Sequence, residues 1–245
     1  MNALEVRGLT KTYPAFTLRD VSFDVPQGAI VGFVGRNGAG KSTTLKSILG
    51  LVHPDDGTVR FFGEDIAQNE QYMKENIGVV LGGIDFYPKK KLSVITAVTR
   101  KFYPNWHEEK YRHYCQLFAL DESKRVDELS SGMRVKYLIA LALSHDAKLL
   151  ILDEPTSGLD PVSRDELVTL FRAIVADGQR SILFSTHITS DLEKCADHIV
   201  FIKDGGIVYG GAVEEFMATF RDHGTTLEDI IVSVERRELD AGAIL

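Results

Sequence analysis

The sequence predicts an α/β fold built on a mostly parallel sheet, and three observations carry that prediction. Short apolar runs occur at residues 29–34, 149–152, 181–184 and 199–202. Strands buried on both faces read as such continuous runs. Between them lie segments whose apolar residues recur at i, i+3 and i+4, the spacing of a helix that covers one face of a sheet. Strand and helix then alternate along the chain, which favours parallel strands with helices on both faces.

The elements follow in order. Residues 4–30 and 57–63 hold short alternating stretches, such as Thr58-Val59-Arg60-Phe61-Phe62 before Gly63, and predict an antiparallel β subdomain. Residues 29–34 read as a buried strand. After Lys41, the residues Leu45, Ile48 and Leu49 mark one helix face, with a stop near Gly50 and Pro54 beyond it. Residues 84–128 form a zone rich in aromatics: Phe86, Tyr87, Phe102, Tyr103, Trp106, Tyr111, Tyr114 and Phe118. Tyr111, Tyr114 and Phe118 are spaced for a helix. These rings build a local core, with a few exposed for docking. Lys89-Lys90-Lys91 reads as a solvated face, or as a contact for lipid headgroups or a partner.

Farther on, Val135, Leu138, Ile139 and Ala142 mark a helix that Ser130 and Ser131 suit as N-caps. A strand at 149–152, a helix at 164–175, a strand at 181–184 and a helix at 190–195 follow. A strand at 199–202 leads through the turn Asp204-Gly205-Gly206 into Ile207-Val208-Tyr209. Residues 222–245 are polar and charged, with a short helix expected around 227–234. The chain shows no internal repeat.

Composition narrows the class. The chain has 245 residues, enough for one α/β core with a modest insertion, and 44% of them are hydrophobic. No apolar run approaches the roughly 18 residues of a membrane span. Residues 1–9 are mixed and charged, unlike a secretory signal. The expected location is therefore the cytoplasm. The formal charge of −7 argues against a broad nucleic-acid surface. Cys115 and Cys195 lack metal or redox spacing and read as reduced structural thiols.

Two motifs carry chemistry. Gly35-Arg36-Asn37-Gly38-Ala39-Gly40-Lys41-Ser42-Thr43 fits G-x-x-x-x-G-K-[ST], a phosphate-cradling loop between strand and helix. Its glycines admit close backbone approach, so N–H groups face the phosphates at a helix N-terminus. Lys41 is placed to reach the β- and γ-phosphates, and the Ser42 hydroxyl to ligate Mg²⁺. The second motif is Asp153-Glu154, at the carboxyl end of an apolar strand, where ligands of open parallel sheets bind. Asp153 is read as holding Mg²⁺ through water, and Glu154 as general base toward the attacking water. ATP and Mg²⁺ are thus the expected cofactors.

A series of further motifs completes the pattern. Leu129-Ser130-Ser131-Gly132-Met133 resembles the LSGGQ signature of the ABC transporter ATPases, just ahead of the acidic strand. Ser157-Gly158-Leu159-Asp160 resembles that family's D-loop, and His187 in Ser185-Thr186-His187 its H-loop histidine. Tyr13 resembles the A-loop aromatic that stacks on adenine, although its ring also suits simple packing on the first strand. Asp160 equally suits a turn before Pro161. The resemblance spans residues 4 to 220.

The resemblance implies a RecA-like P-loop NTPase core with an N-terminal antiparallel β subdomain and a small helical subdomain. Residues 1–82 and 130–221 make the catalytic core with the β subdomain, residues 83–129 the inserted helical subdomain, and residues 222–245 a short tail. Ser130, Gly132 and Asp160 then meet nucleotide held by a second ATPase, and His187 meets the γ-phosphate. The expected assembly is a homodimer or heterodimer, bound to separate transmembrane permease subunits on the inner face of the cell membrane. Its cycle moves cargo, and the short helical zone and Thr226-Leu227-Glu228-Asp229 tail resemble export systems for antibiotics or peptides.

The sequence departs from the family pattern at three places. Ser131 and Met133 replace signature residues, and Arg36 stands where proline is common. Gly82 stands where the Q-loop glutamine is expected, after Ile77-Gly78-Val79-Val80-Leu81. Gly82 and Gly83 suggest a hinge instead. Two other readings stay open on sequence alone: a soluble ABC-type ATPase acting on ribosomes or DNA, and an inactive nucleotide-binding module.

Overall fold

A hairpin opens the chain. In the computed structural model, which describes residues 1–81 and 87–235, β1 (Asn2–Tyr13) pairs with β2 (Phe16–Pro26), Tyr13 lying opposite Phe16. These strands are longer than the alternation suggested. Register shifts between Val6 and Leu9 and between Leu9 and Lys11 let the ladder run on where the apolar period slips. The buried strand β3 (Ile30–Val34) leads to α1 (Lys41–Ile48). Next, β4 (Asp56–Phe61) and β5 (Glu64–Asp65) complete a sheet ordered β2-β1-β4-β5.

The chain continues through α2 (Glu70–Asn76) and β6 (Ile77–Val80) to α3 (Leu92–Thr99), α4 (Glu108–Leu117) and α5 (Ser131–Ser144). It closes with β7 (Leu149–Asp153), α6 (Pro161–Val175), β8 (Ser181–Thr186), α7 (Thr189–Cys195), β9 (His198–Lys203), β10 (Gly206–Ala212), α8 (Val213–Thr219) and α9 (Leu227–Glu235). The second sheet is ordered β10-β9-β3-β8-β7-β6. It is parallel except for β10, which returns antiparallel to β9 from the turn at Asp204 and Gly205. Gly82, Gly83 and Phe86, and the end of the polar tail at 236–245, lie outside the described residues.

Alternation along the central strands divides the core. Val31, Phe33, Leu149, Ile151 and Leu183 pack with α1 against the antiparallel sheet. Ile30, Leu150, Leu152, Ile182 and Phe184 face the opposite way, against α6, α7 and α9. A third cluster joins α3, α4 and α5 around Leu92, Ile95, Tyr111 and Tyr137. There the Thr96 hydroxyl meets the Tyr111 and Tyr137 hydroxyls at 2.8 and 2.9 Å, so the buried polar groups are mutually satisfied. The aromatic zone is thus mostly core. Phe102 and Tyr87 are exposed, as are Val94 and Val98 of α3. Cys115 and Cys195 are buried free thiols, and burial pushes Cys195 up to about 12.

Candidate active site

The phosphate loop is held from below and from one side. Gly35 crosses β9 so closely that an added Cβ would lie 2.3 Å from the Ile202 carbonyl oxygen. The Gly205 N–H, in the β9–β10 turn, donates to the Ala39 carbonyl at 3.0 Å, while the Arg19 N–H donates to the Gly205 carbonyl at 2.7 Å. The turn is therefore wedged between β2 and the loop. Gly40 begins α1 with φ of 115°, in the left-handed region, and the Phe16 ring packs against it. Tyr13 follows from this contact. As the cross-strand partner of Phe16 it sits at the tip of the hairpin that reaches the loop, partly exposed.

Lys41 is 95% buried at the first turn of α1, and its charge is fully engaged. Its Nζ donates to the Gly35 carbonyl at 2.6 Å and to the Arg36 carbonyl at 3.4 Å, and lies 3.3 Å from Glu154 Oε1. Ser42 and Thr43 follow on the same turn, and the Thr44 hydroxyl back-bonds to the Gly40 carbonyl at 2.9 Å.

The acidic pair sits where the sequence placed it. Asp153 ends β7, buried beside β8. Glu154 begins the following turn with φ of 51°, a conformation uncommon for a glutamate. Its Oε2 meets His187 Nδ1 at 2.7 Å. Lys41, Glu154 and His187, from three separate motifs, thus form one continuous polar chain. A hydroxyl from Ser42 and a carboxylate from Asp153 are hard oxygen donors of the kind Mg²⁺ takes when phosphates and water complete its shell.

A second group gathers at α5 and α6. The Ser130 hydroxyl caps α5 by accepting from the Met133 N–H at 3.2 Å. Gly132 lies against Leu159 and Ser163, since an added Cβ would meet them at 3.8 and 3.6 Å. Asp160 caps α6, accepting from the Val162 and Ser163 N–H groups at 3.0 Å each, with Pro161 as the first helical residue. Hydrogen bonds from Ser163 hold its carboxyl below the ordinary range. The cap also moves the start of α6 three residues ahead of the periodicity, to Pro161. Ser130, Gly132 and Asp160 therefore share one corner of the molecule.

Two site residues carried no signal in the sequence. Ser185 Oγ donates to Asp153 Oδ1 at 2.5 Å and accepts from the Glu154 N–H at 2.9 Å. Asp191 Oδ2 accepts from the Thr156 hydroxyl at 2.6 Å, both groups buried. Each contact spans more than thirty residues of chain, and only the adjacency of β7 and β8 reveals it.

The parallel sheet, phosphate loop and acidic strand end define a P-loop nucleotide hydrolase. Comparison with known proteins narrows the class. Residues 18–157 match the family model described as ABC transporter. The chain is 33% identical over 208 residues to the bacitracin transport ATP-binding protein BcrA of Bacillus licheniformis, covering 84% of this chain and 68% of that protein. It is 34% identical over 215 residues to the Nod factor export ATP-binding protein I of Burkholderia orbicola (strain AU 1054), covering 85% and 70%. A solved structure described as the ATP binding subunit of an ABC transporter matches with a TM-score of 0.84 at 29% identity, covering 95% of this chain and 99% of that one.

The chain belongs to the ABC transporter family. It is an ATP-binding and ATP-hydrolysing subunit, of a class that dimerises and works with transmembrane permease subunits. No helix among the described residues is long and apolar enough to cross a membrane.

Proposed function

We propose that this chain powers export by hydrolysing ATP between two copies of its fold, with the residues named above in specific roles. The observation that carries the reading is the Lys41–Glu154–His187 chain. It joins a phosphate-binding cation, a general base and a histidine across three separate motifs.

In this reading the loop amides of Gly35 to Gly40 and the Lys41 ammonium bind the phosphates. Ser42 and Asp153 would hold Mg²⁺, which when bound would supply charge that neutralises the phosphates. Phosphate binding draws Lys41 away from Glu154. Glu154 then takes the proton of the attacking water, oriented by the His187 imidazole. Tyr13 stacks on adenine. Ser130, Gly132 and Asp160 form the opposite half-site, offered to nucleotide in the partner's P-loop, because within one chain they cluster at the α5–α6 corner. Residues 83–129 act as the lever that meets the permease, through the exposed stripe Val94, Val98 and Phe102. α3 and α4 share a core with α5 (Ser131–Ser144), so packing ties the segment 83–129 to residues past its proposed end.

The names of the relatives, bacitracin transport and Nod factor export, support an amphiphilic export cargo and a position on the inner face of the cell membrane. The same names leave the ribosome and DNA readings without support. The test is ATP-driven dimerisation of Glu154→Gln, followed by light scattering with ATP and Mg²⁺. A dimer that forms with ATP and not ADP is expected. A variant that stays monomeric at saturating ATP, alone and with its permease, would overturn the reading.

A further inference from the structure

We propose that Ser185 is a positioning residue for hydrolysis: its hydroxyl fixes the metal-orienting Asp153 and the general base Glu154 relative to one another. The proposal rests on the roles given above to those two carboxylates and deepens them.

The geometry is specific. Ser185 lies in β8 with no solvent exposure, paired in register with Asp153 of β7 on one side and Phe33 of β3 on the other. A serine hydroxyl offers one donor and two acceptor sites. Here the donor goes to Asp153 Oδ1 and an acceptor site takes the Glu154 N–H. The Ser185 carbonyl also accepts from the Glu154 N–H, at 3.2 Å. One residue thus grips two consecutive acidic residues, one by its side chain and the next by its backbone.

Glu154 needs such a grip. Its φ of 51° is a conformation that costs about 1 kcal/mol or more for a non-glycine residue and persists only where the surroundings impose it. The far end of the same turn is held by a second contact, from Thr156 to Asp191 of α7. His187 lies between Ser185 and Asp191 in the chain and meets Glu154 Oε2. The β8–α7 corner therefore grips the acidic turn at both ends and supplies the histidine at its middle. The hydroxyl takes Oδ1 of Asp153 and leaves Oδ2 unengaged by Ser185.

The experiment compares Ser185→Ala, Ser185→Cys and Ser185→Thr with the wild type. Mn²⁺ serves as the probe, and its affinity for the protein–ATP complex is read by electron paramagnetic resonance. Single-turnover hydrolysis and thermal melting are measured on the same samples. Loss of the hydroxyl is expected to weaken Mn²⁺ binding at least 10-fold and slow turnover 10- to 100-fold. Binding of ATP in excess chelator should stay within 2-fold, and Ser185→Thr should recover most of the loss. A serine that only fills the core predicts a lower melting temperature with unchanged Mn²⁺ affinity and turnover, and that result overturns the proposal. Ser185→Cys keeps the volume, so a poorly folded alanine variant does not blur the answer. Asp153→Asn separates the two levels. If it leaves Mn²⁺ affinity unchanged, the metal role of Asp153 fails; if it weakens Mn²⁺ while Ser185→Ala and Ser185→Cys do not, only the Ser185 proposal fails.

Discussion

Glu154 Oε1 lies 3.3 Å from Lys41 Nζ, so the carboxylate proposed as general base and the cation proposed to bind phosphate neutralise each other. The carboxylate is 21% exposed and the ammonium 5%, which makes the pair largely sheltered from screening. In the proposed roles, nucleotide phosphates compete with Glu154 for Lys41. Glu154→Gln removes the competitor's charge and the general base together. ATP should bind the variant several-fold more tightly while phosphate release falls by at least 100-fold. Titration with a fluorescent ATP analogue and a phosphate-release assay check both. Equal affinities for variant and wild type would show that the pair does not oppose binding.

Asp160 has one job in the fold and a second that is proposed. Its side chain caps α6, and an N-cap replaced by alanine costs about 1 kcal/mol. In a chain of this size that is a fall of roughly 2–4 °C in melting temperature. Asp160→Ala should show that fall, and Asp160→Ser, which keeps a capping oxygen, should not. Both variants should lose ATP-driven dimerisation if the carboxylate also meets the partner. Calorimetry and light scattering on the same pair of variants distinguish the jobs.

What could be read from sequence followed how local each signal was. The P-loop, the acidic strand end and His187 are short motifs with strand or helix flanks, and the structure brings Lys41, Glu154 and His187 together. The central strands announced themselves because burial on both faces removes every polar residue from their middles. Helix α3 gave no helical signal. Its residues, Leu-Ser-Val-Ile-Thr-Ala-Val-Thr, are rich in β-branched side chains, and Val94 and Val98 stay exposed on its outer face, so no clean apolar stripe appears. Ser185 and Asp191 were invisible for a different reason. Their partners are Asp153 and Thr156, and nothing in the local sequence of β8 or α7 encodes a contact with another strand's end.

His145 sets a pH dependence on stability. It is buried, stacked on Tyr103 with ring centroids 3.7 Å apart, and burial lowers its pKa from 6.5 to about 4. The unfolded chain therefore binds a proton that the folded chain refuses. The sign follows: the contribution is fully present above pH 6.5 and is lost as pH falls toward 4. By pH 5 the loss amounts to about 2 kcal/mol, or roughly 4–8 °C in melting temperature. Melting curves from pH 8 to pH 5 should fall more steeply for the wild type than for His145→Asn, although the variant starts lower. Parallel slopes would show that His145 titrates normally in the fold.

The β9–β10 turn gives the sharpest contrast between neighbours. Gly205 has φ of 82°, and a Cβ there would lie 2.0 Å from the Thr17 carbonyl oxygen, a clash with backbone that no rotamer relieves. The same residue's N–H holds the Ala39 carbonyl inside the phosphate loop. At Gly206 the nearest atom to an added Cβ is 3.9 Å away and φ lies outside the left-handed region. Gly205→Ala must push the turn off β2 and so loosen the loop that depends on it. Strain of this kind costs about 1–3 kcal/mol, and ATP affinity should fall with stability. Gly206→Ala should match the wild type in both. Melting temperature and fluorescent-nucleotide binding measured on the two variants decide the point, because a loop independent of the turn would keep its ATP affinity in Gly205→Ala even as the melting temperature drops.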